Sequence, residues 1–186
     1  MLKYVPNALS GYRLVMLPVL LYLVSVRSEG WFSVLICVNL VTDILDGWIA
    51  RKFGLETELG ARLDSLADYG TYAAAVYGLY AFKAAELGDW MLLVWLFVGF
   101  ILVFIGLSLV KFRRSPSLHL YSTKIGGYLQ GFLFFTLFAW GFWAPYFAFA
   151  LVWGMLSFTE GMLILFLLPE MRSNQKGLYW VLRSRH

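Results

Sequence analysis

Apolar residues run along this chain in long blocks, and the polar residues between them fall into short clusters. A helix needs about 20 mostly apolar residues to cross roughly 30 Å of hydrocarbon. Six blocks have that length, at residues 9–26, 31–50, 60–84, 89–112, 120–143 and 145–168, and they predict an all-α integral membrane protein of six transmembrane helices. The polar connections at 27–30, 51–59, 85–88 and 113–119 are too short to hold a soluble domain, so residues 1–186 read as one transmembrane domain. Its tail, 170–186, sets Leu178, Trp180 and Leu182 among Lys176, Arg183 and Arg185, as in an amphipathic segment lying on the membrane surface.

Composition agrees with that class. Hydrophobic residues make up 61% of the chain and mean hydropathy is +0.73, which excludes an ordinary soluble domain. Trp31, Trp90, Trp143, Tyr146, Tyr179 and Trp180 fall at the ends of apolar blocks, where an interfacial belt is expected. With the amino terminus in the cytoplasm, thirteen of the fifteen Lys and Arg residues lie on the inner side, and Arg27 and Lys83 lie outside. That bias places both termini in the cytoplasm. The net charge of +4 then faces the anionic leaflet and calls for no nucleic acid. Arg13 interrupts the first apolar block and no small-residue cleavage site follows Val26, so this block reads as a retained span. The lone Cys37 excludes an internal disulfide, and with only His119 and His186 beside it no Cys- or His-based metal site can form.

One stretch breaks the pattern. In DILDGWIARKFGLETELGARLDSLAD, four aspartates, Asp43, Asp46, Asp64 and Asp68, stand in or beside the second and third spans. A carboxylate at membrane depth costs roughly 2.5 kcal/mol or more, so it marks a functional site with a partner charge. Spacings of three, four and seven put Asp43, Asp46, Gly47 and Ala50 on one helix face, and Gly60, Asp64 and Asp68 form a matching face on the next. The short connection makes the two spans antiparallel neighbours. At 1.5 Å per residue, Asp43 lies about 10 Å before Ala50 and Asp68 about 12 Å beyond Gly60, so the acids meet at similar depth below the cytoplasmic interface. Oxygen ligands alone select hard cations, Mg²⁺, Mn²⁺ or Ca²⁺. Four carboxylates suffice for two ions about 3.5 to 4 Å apart, the clamp that stabilises charge in phosphoryl transfer. Gly47, Ala50 and Gly60 leave room for a phosphorylated ligand, though small residues also serve helix packing.

These residues, D43xxD46G47xxA50R51, eight residues, then G60xxxD64xxxD68, resemble the full signature of the CDP-alcohol phosphotransferase family. The resemblance implies a core of six membrane helices with the signature on the second and third, and usually a homodimer. It also implies a reaction, in which the pyrophosphate of a CDP-linked alcohol is cleaved, the substituted phosphate passes to an acceptor hydroxyl and CMP is released. Two divalent ions, Mg²⁺ or Mn²⁺, would be held by Asp43, Asp46, Asp64 and Asp68, with Asp68 also the base that deprotonates the acceptor. Gly47, Ala50, Arg51 and Gly60 would line the nucleotide pocket. The opening VPNALSGYR is similar to the PNxLTxxR of lipid-using members, which adds Asn7 and Arg13 to donor binding; their alternative roles are helix capping and snorkelling.

Lys111, Arg113, Arg114 and Lys124 form a basic cluster around the fourth connection, either a topology signal or a pocket for a phosphorylated acceptor. Glu160, deep in the sixth span, is expected to be satisfied by Ser157 or a basic neighbour, or else to shape the acceptor cavity. The donor expected is CDP-diacylglycerol and the acceptor glycerol 3-phosphate or another phosphorylated polyol. Against that acceptor, Tyr69 stands where the glycerol-phosphate enzymes usually carry Lys, the fourth span lacks their Arg-Glu pair, and LDSLAD resembles serine-using members. The alternatives are an aminoalcohol phosphotransferase using CDP-choline or CDP-ethanolamine with diacylglycerol, and a divalent-cation transporter. The latter is disfavoured by the absence of an internal repeat.

Overall fold

The structure is a computed structural model that describes residues 5–55, 57–114, 118, 120–169 and 176–183, apart from the side chains of Arg51, Glu58, Leu59, Ala61 and Arg62. Among the described residues regular structure is entirely helical. The chain divides into two compact units, Met1–Gly88 with Phe134–Gly141, and Asp89–Leu133 with Phe142–His186.

In the first unit α1 (Val5–Ser25) packs along both α2 (Glu29–Phe53) and α3 (Glu58–Gly78). Pro6 suits the first turn of α1, where its missing N–H would have no partner anyway. The α1–α2 corner turns on Arg27 at φ 56°, with Ser28 N–H donating to Leu23 O at 2.9 Å, and the Arg27 side chain donates to Ala81 O at 3.0 Å. Gly54, at φ 61°, ends α2 in the left-handed conformation that glycine adopts without strain, and its N–H returns to Ala50 O. Three residues later Thr57 caps α3, its hydroxyl accepting from Gly60 N–H at 3.0 Å. Small residues then let the helices close up: Leu17 lies against Gly70, and the fully buried Phe32 ring lies against Gly78. Phe32 also meets Phe82 and Phe138, each at 5.3 Å between ring centroids. Beyond α3 the third predicted span does not run on as a straight helix: one turn of π-helix, Leu79–Lys83, leads into α4 (Ala84–Leu87). There Lys83 pairs with Glu29 at 2.8 Å and Glu86 at 3.3 Å.

The second unit is built on α5 (Met91–Phe112) packed along α7 (Ala144–Leu167), where Phe97 and Phe104 lie against Gly154 and Gly161. It also holds α6 (Tyr121–Ala139) as far as Leu133, and α8 (Leu178–Arg183). Polar groups staple α6 to α7: Gln130 to Ala150 O at 3.0 Å, Trp153 Nε1 to Ser122 O at 3.1 Å, and Tyr146 to Leu129 O at 2.9 Å. Of the tail, only Lys176 to Arg183 lies within the described residues. There Val181 of α8 joins a core of Leu118, Leu120, Ile164, Leu165 and Leu168, while Tyr179, Trp180 and Leu182 face outward.

Among the described residues, four helical stretches are long and apolar enough to cross a membrane: Val5–Ser25, Glu29–Ala50, Leu63–Phe112 and Ala144–Leu167. Large apolar side chains such as Val15, Leu21, Leu92, Leu102 and Val110 point outward, the reverse of a water-soluble surface. The chain is an integral membrane protein.

Candidate active site

The four aspartates come together. Asp43 and Asp46 on α2 face Asp64 and Asp68 on α3 in antiparallel register, and the guanidinium of Arg13 on α1 lies between them. Nη1 donates to Asp43 Oδ1 at 2.7 Å and Asp68 Oδ1 at 2.6 Å, and Nη2 to Asp46 Oδ2 and Asp64 Oδ1, both at 2.5 Å. Each terminal nitrogen thus bridges one acid of α2 and one of α3. Arg13 is fully buried, and its Nε–H has no partner. Asp46 is the buried member of the four, accepting also from Ser10 Oγ at 3.1 Å, whereas Asp43, Asp64 and Asp68 are each more than a third exposed.

This geometry follows from helix periodicity. The 3.6-residue period brings Asp43 and Asp46 to one side of α2, and the tight α2–α3 corner at Gly54 and Thr57 fixes the register in which Asp64 and Asp68 return. Ser10 and Arg13, three residues apart on α1, then face the same point.

Beside the acids opens a cavity of about 190 Å³, walled by Pro6, Asn7, Ser10, Asp46, Gly47, Ala50, Leu55, Thr57, Gly60 and Asp64. Four residues that the sequence assigns to the nucleotide pocket, Asn7, Gly47, Ala50 and Gly60, therefore share one wall with two of the acids. A β-carbon on Gly60 would lie 2.5 Å from Asn7 Oδ1 and 2.8 Å from Thr57 Oγ1, so a larger residue there must displace those two side chains. The side chain of Arg51 lies outside the described residues. Arg13 lies inside the acidic cup rather than on the cavity wall. Ser10, Leu55 and Thr57 were missed by sequence reasoning. The Thr57 cap has a readable signal, a threonine three residues before Gly60 at the start of an apolar helix.

In the second unit the basic residues have separate fates. Lys111 donates to Leu165 O at 2.7 Å and Phe166 O at 3.1 Å, capping the last carbonyls of α7. Arg113, at φ 53°, closes α5, and with Arg114 and Lys124 it is exposed. Glu160 is satisfied, but not by Ser157, whose hydroxyl donates to Trp153 O at 2.9 Å. It accepts from the Ser122 hydroxyl and, at 2.8 Å, from Leu178 N–H at the start of α8.

The acidic cup fits a hard divalent cation. Asp43, Asp64 and Asp68 each offer a carboxylate oxygen, and these atoms lie within 4.8 Å of one another. The donors are all oxygen, and a cationic group already sits among them.

A family model described as CDP-alcohol phosphatidyltransferase matches residues 3–161, through both units and the whole acidic constellation. The chain belongs to that family. Among its relatives, the CDP-diacylglycerol–glycerol-3-phosphate 3-phosphatidyltransferase of Aquifex aeolicus (strain VF5) is 32% identical over 63% of this chain and 66% of its own length. The enzyme of the same name from Escherichia coli (strain K12) is 36% identical over 39% of this chain and 41% of its own. The CDP-diacylglycerol–inositol 3-phosphatidyltransferase 1 of Arabidopsis thaliana is 37% identical over 35% and 28%. Each match thus spans less than two thirds of the relative. No solved structure matches the chain.

Proposed function

We propose that this protein works in phospholipid biosynthesis, transferring a phosphatidyl group from CDP-diacylglycerol to the hydroxyl of a small polar acceptor with release of CMP. The observation that carries the reading is the meeting of Asp43, Asp46, Asp64 and Asp68 from two antiparallel helices, beside a cavity walled by Asn7, Gly47, Ala50 and Gly60. That wall presents backbone and small side chains to a nucleotide. Two divalent ions, Mg²⁺ or Mn²⁺, held by the four aspartates would screen the charge of the diphosphate.

Asp68 takes the proton of the acceptor hydroxyl, since an alcohol is a poor nucleophile near pH 7 and a positioned carboxylate base contributes about 10²- to 10⁴-fold in rate. The hydroxyl oxygen attacks the phosphorus that carries the lipid. The bond from that phosphorus to the bridging oxygen breaks, and CMP leaves with the electron pair. Asn7 and Arg51 hold the nucleotide, while Arg113, Arg114 and Lys124 attract a phosphorylated acceptor. Lys111 is engaged on α7, where it caps the helix end, and takes no part in holding the acceptor.

The acceptor we favour is glycerol 3-phosphate or another phosphorylated polyol, supported by the names of the Aquifex and Escherichia relatives. The protein works as a six-span homodimer, as the family resemblance implies, with both termini and the active site on the cytoplasmic side, as the distribution of basic residues supports. The test is CMP release by purified protein from CDP-diacylglycerol with Mg²⁺ or Mn²⁺, against glycerol 3-phosphate, inositol, inositol phosphate and serine. No CMP with any acceptor would reject the reading. Turnover of CDP-choline with diacylglycerol would move the protein to the aminoalcohol branch, and ion flux in vesicles without nucleotide turnover would make it a carrier.

A further inference from the structure

Arg13 stands out because its position suits the acids better than it suits the arginine. Two of its nitrogens make four contacts of 2.5 to 2.7 Å, one to each aspartate, while its Nε–H is buried without a partner. Four carboxylates so close together repel one another, and an unneutralised set at the inner end of three apolar helices would push α2 and α3 apart. One planar guanidinium, bridging an α2 acid to an α3 acid through each terminal nitrogen, offsets that repulsion and ties all three helices.

We propose that Arg13 is the resident counter-cation of the cup, holding the four carboxylates together until divalent ions take the same oxygens, so that Arg13 and the ions exclude each other. The proposal rests on reading the aspartates as metal ligands. A divalent ion needs its oxygens at about 2.0 to 2.6 Å. The oxygens in question, Asp43 Oδ1, Asp46 Oδ2, Asp64 Oδ1 and Asp68 Oδ1, already have a guanidinium nitrogen against them. Asp46 and Asp64, the two acids that Nη2 contacts, both line the adjoining cavity, so a displaced Arg13 has open space beside its present seat. Loading with ions therefore works against Arg13, and the cup never stands without a positive charge.

The test is Mn²⁺ binding, by electron paramagnetic resonance or calorimetry, together with thermal unfolding in chelator and in Mn²⁺, for the wild type, Arg13→Met and Arg13→Lys. Met is expected to lower the unfolding temperature in chelator, to tighten Mn²⁺ binding by about tenfold or more, and to enlarge the Mn²⁺-induced rise in unfolding temperature. Lys, one compact charge that cannot bridge both acid pairs, is expected to fall between the two. A folded Met variant with unchanged or weaker Mn²⁺ affinity would overturn the proposal, as would unchanged stability in chelator. If Met folds only with Mn²⁺ present, the proposal is supported; if it does not fold at all, the affinity of the Lys variant decides in the same sense. A wild-type protein that binds no Mn²⁺ would defeat the metal reading of the cup along with it, whereas Mn²⁺ binding indifferent to residue 13 would defeat this inference alone.

Discussion

Gly60→Ala separates the cavity's function from its stability. The added β-carbon would meet Asn7 Oδ1 at 2.5 Å and Thr57 Oγ1 at 2.8 Å, and both atoms are ends of movable side chains, so the backbone need not shift. Moving the Thr57 hydroxyl off Gly60 N–H removes the α3 cap, which costs about 1 kcal/mol. Moving Asn7 turns its amide away from the space a nucleotide would occupy, and one neutral hydrogen bond is worth about 1 kcal/mol net, a factor of roughly five to ten in affinity. The expected outcome is a modest fall in thermal stability in detergent, a five- to tenfold rise in KM for CDP-diacylglycerol on the same scale, and an almost unchanged kcat. The assay is CMP release across a donor titration, paired with a melting curve. A variant that melts earlier but keeps its donor KM would refute the placement of Asn7 in the donor pocket.

Asp68→Asn should leave the protein folded and able to bind donor while CMP release falls by roughly 10²- to 10⁴-fold; near-normal turnover would remove Asp68 from the base role. Chelation with EDTA should abolish CMP release, and Mg²⁺ or Mn²⁺ should restore it, whereas full activity in excess chelator would contradict the metal assignment. Glu160→Ala leaves Leu178 N–H and the Ser122 hydroxyl unpaired, at a cost of about 1 to 3 kcal/mol, and should speed amide exchange at residues 178–183. Slow exchange there in the variant would show that α8 is held by Val181 and its neighbours instead. Lys111→Met should lower stability by about 1 kcal/mol through the lost carbonyl cap without changing KM for a phosphorylated acceptor, while Arg114→Gln should raise that KM.

Much of this protein was legible in the chain itself, because the relevant signals are local. Apolar blocks long enough to cross a bilayer specify helices at membrane depth, and spacings of three and four put Asp43 with Asp46, and Asp64 with Asp68, whatever surrounds them. The tight corner after Phe53 then made the two faces antiparallel neighbours, and Gly47, Ala50 and Gly60 were readable as the small residues beside them.

What lay beyond the sequence depends on how one helix is rotated and seated against another, which periodicity along a single helix does not encode. A lone arginine thirteen residues into the chain reads equally well as a snorkelling side chain, and only the packing of α1 on both α2 and α3 brings it among four acids 30 to 55 positions away. In the same way, Glu160 finds its partners on α6 and α8 rather than one turn back on its own helix, and Lys111 caps α7. Burial explains the asymmetry: in a medium without water each of these charges must find a partner, but tertiary packing chooses which.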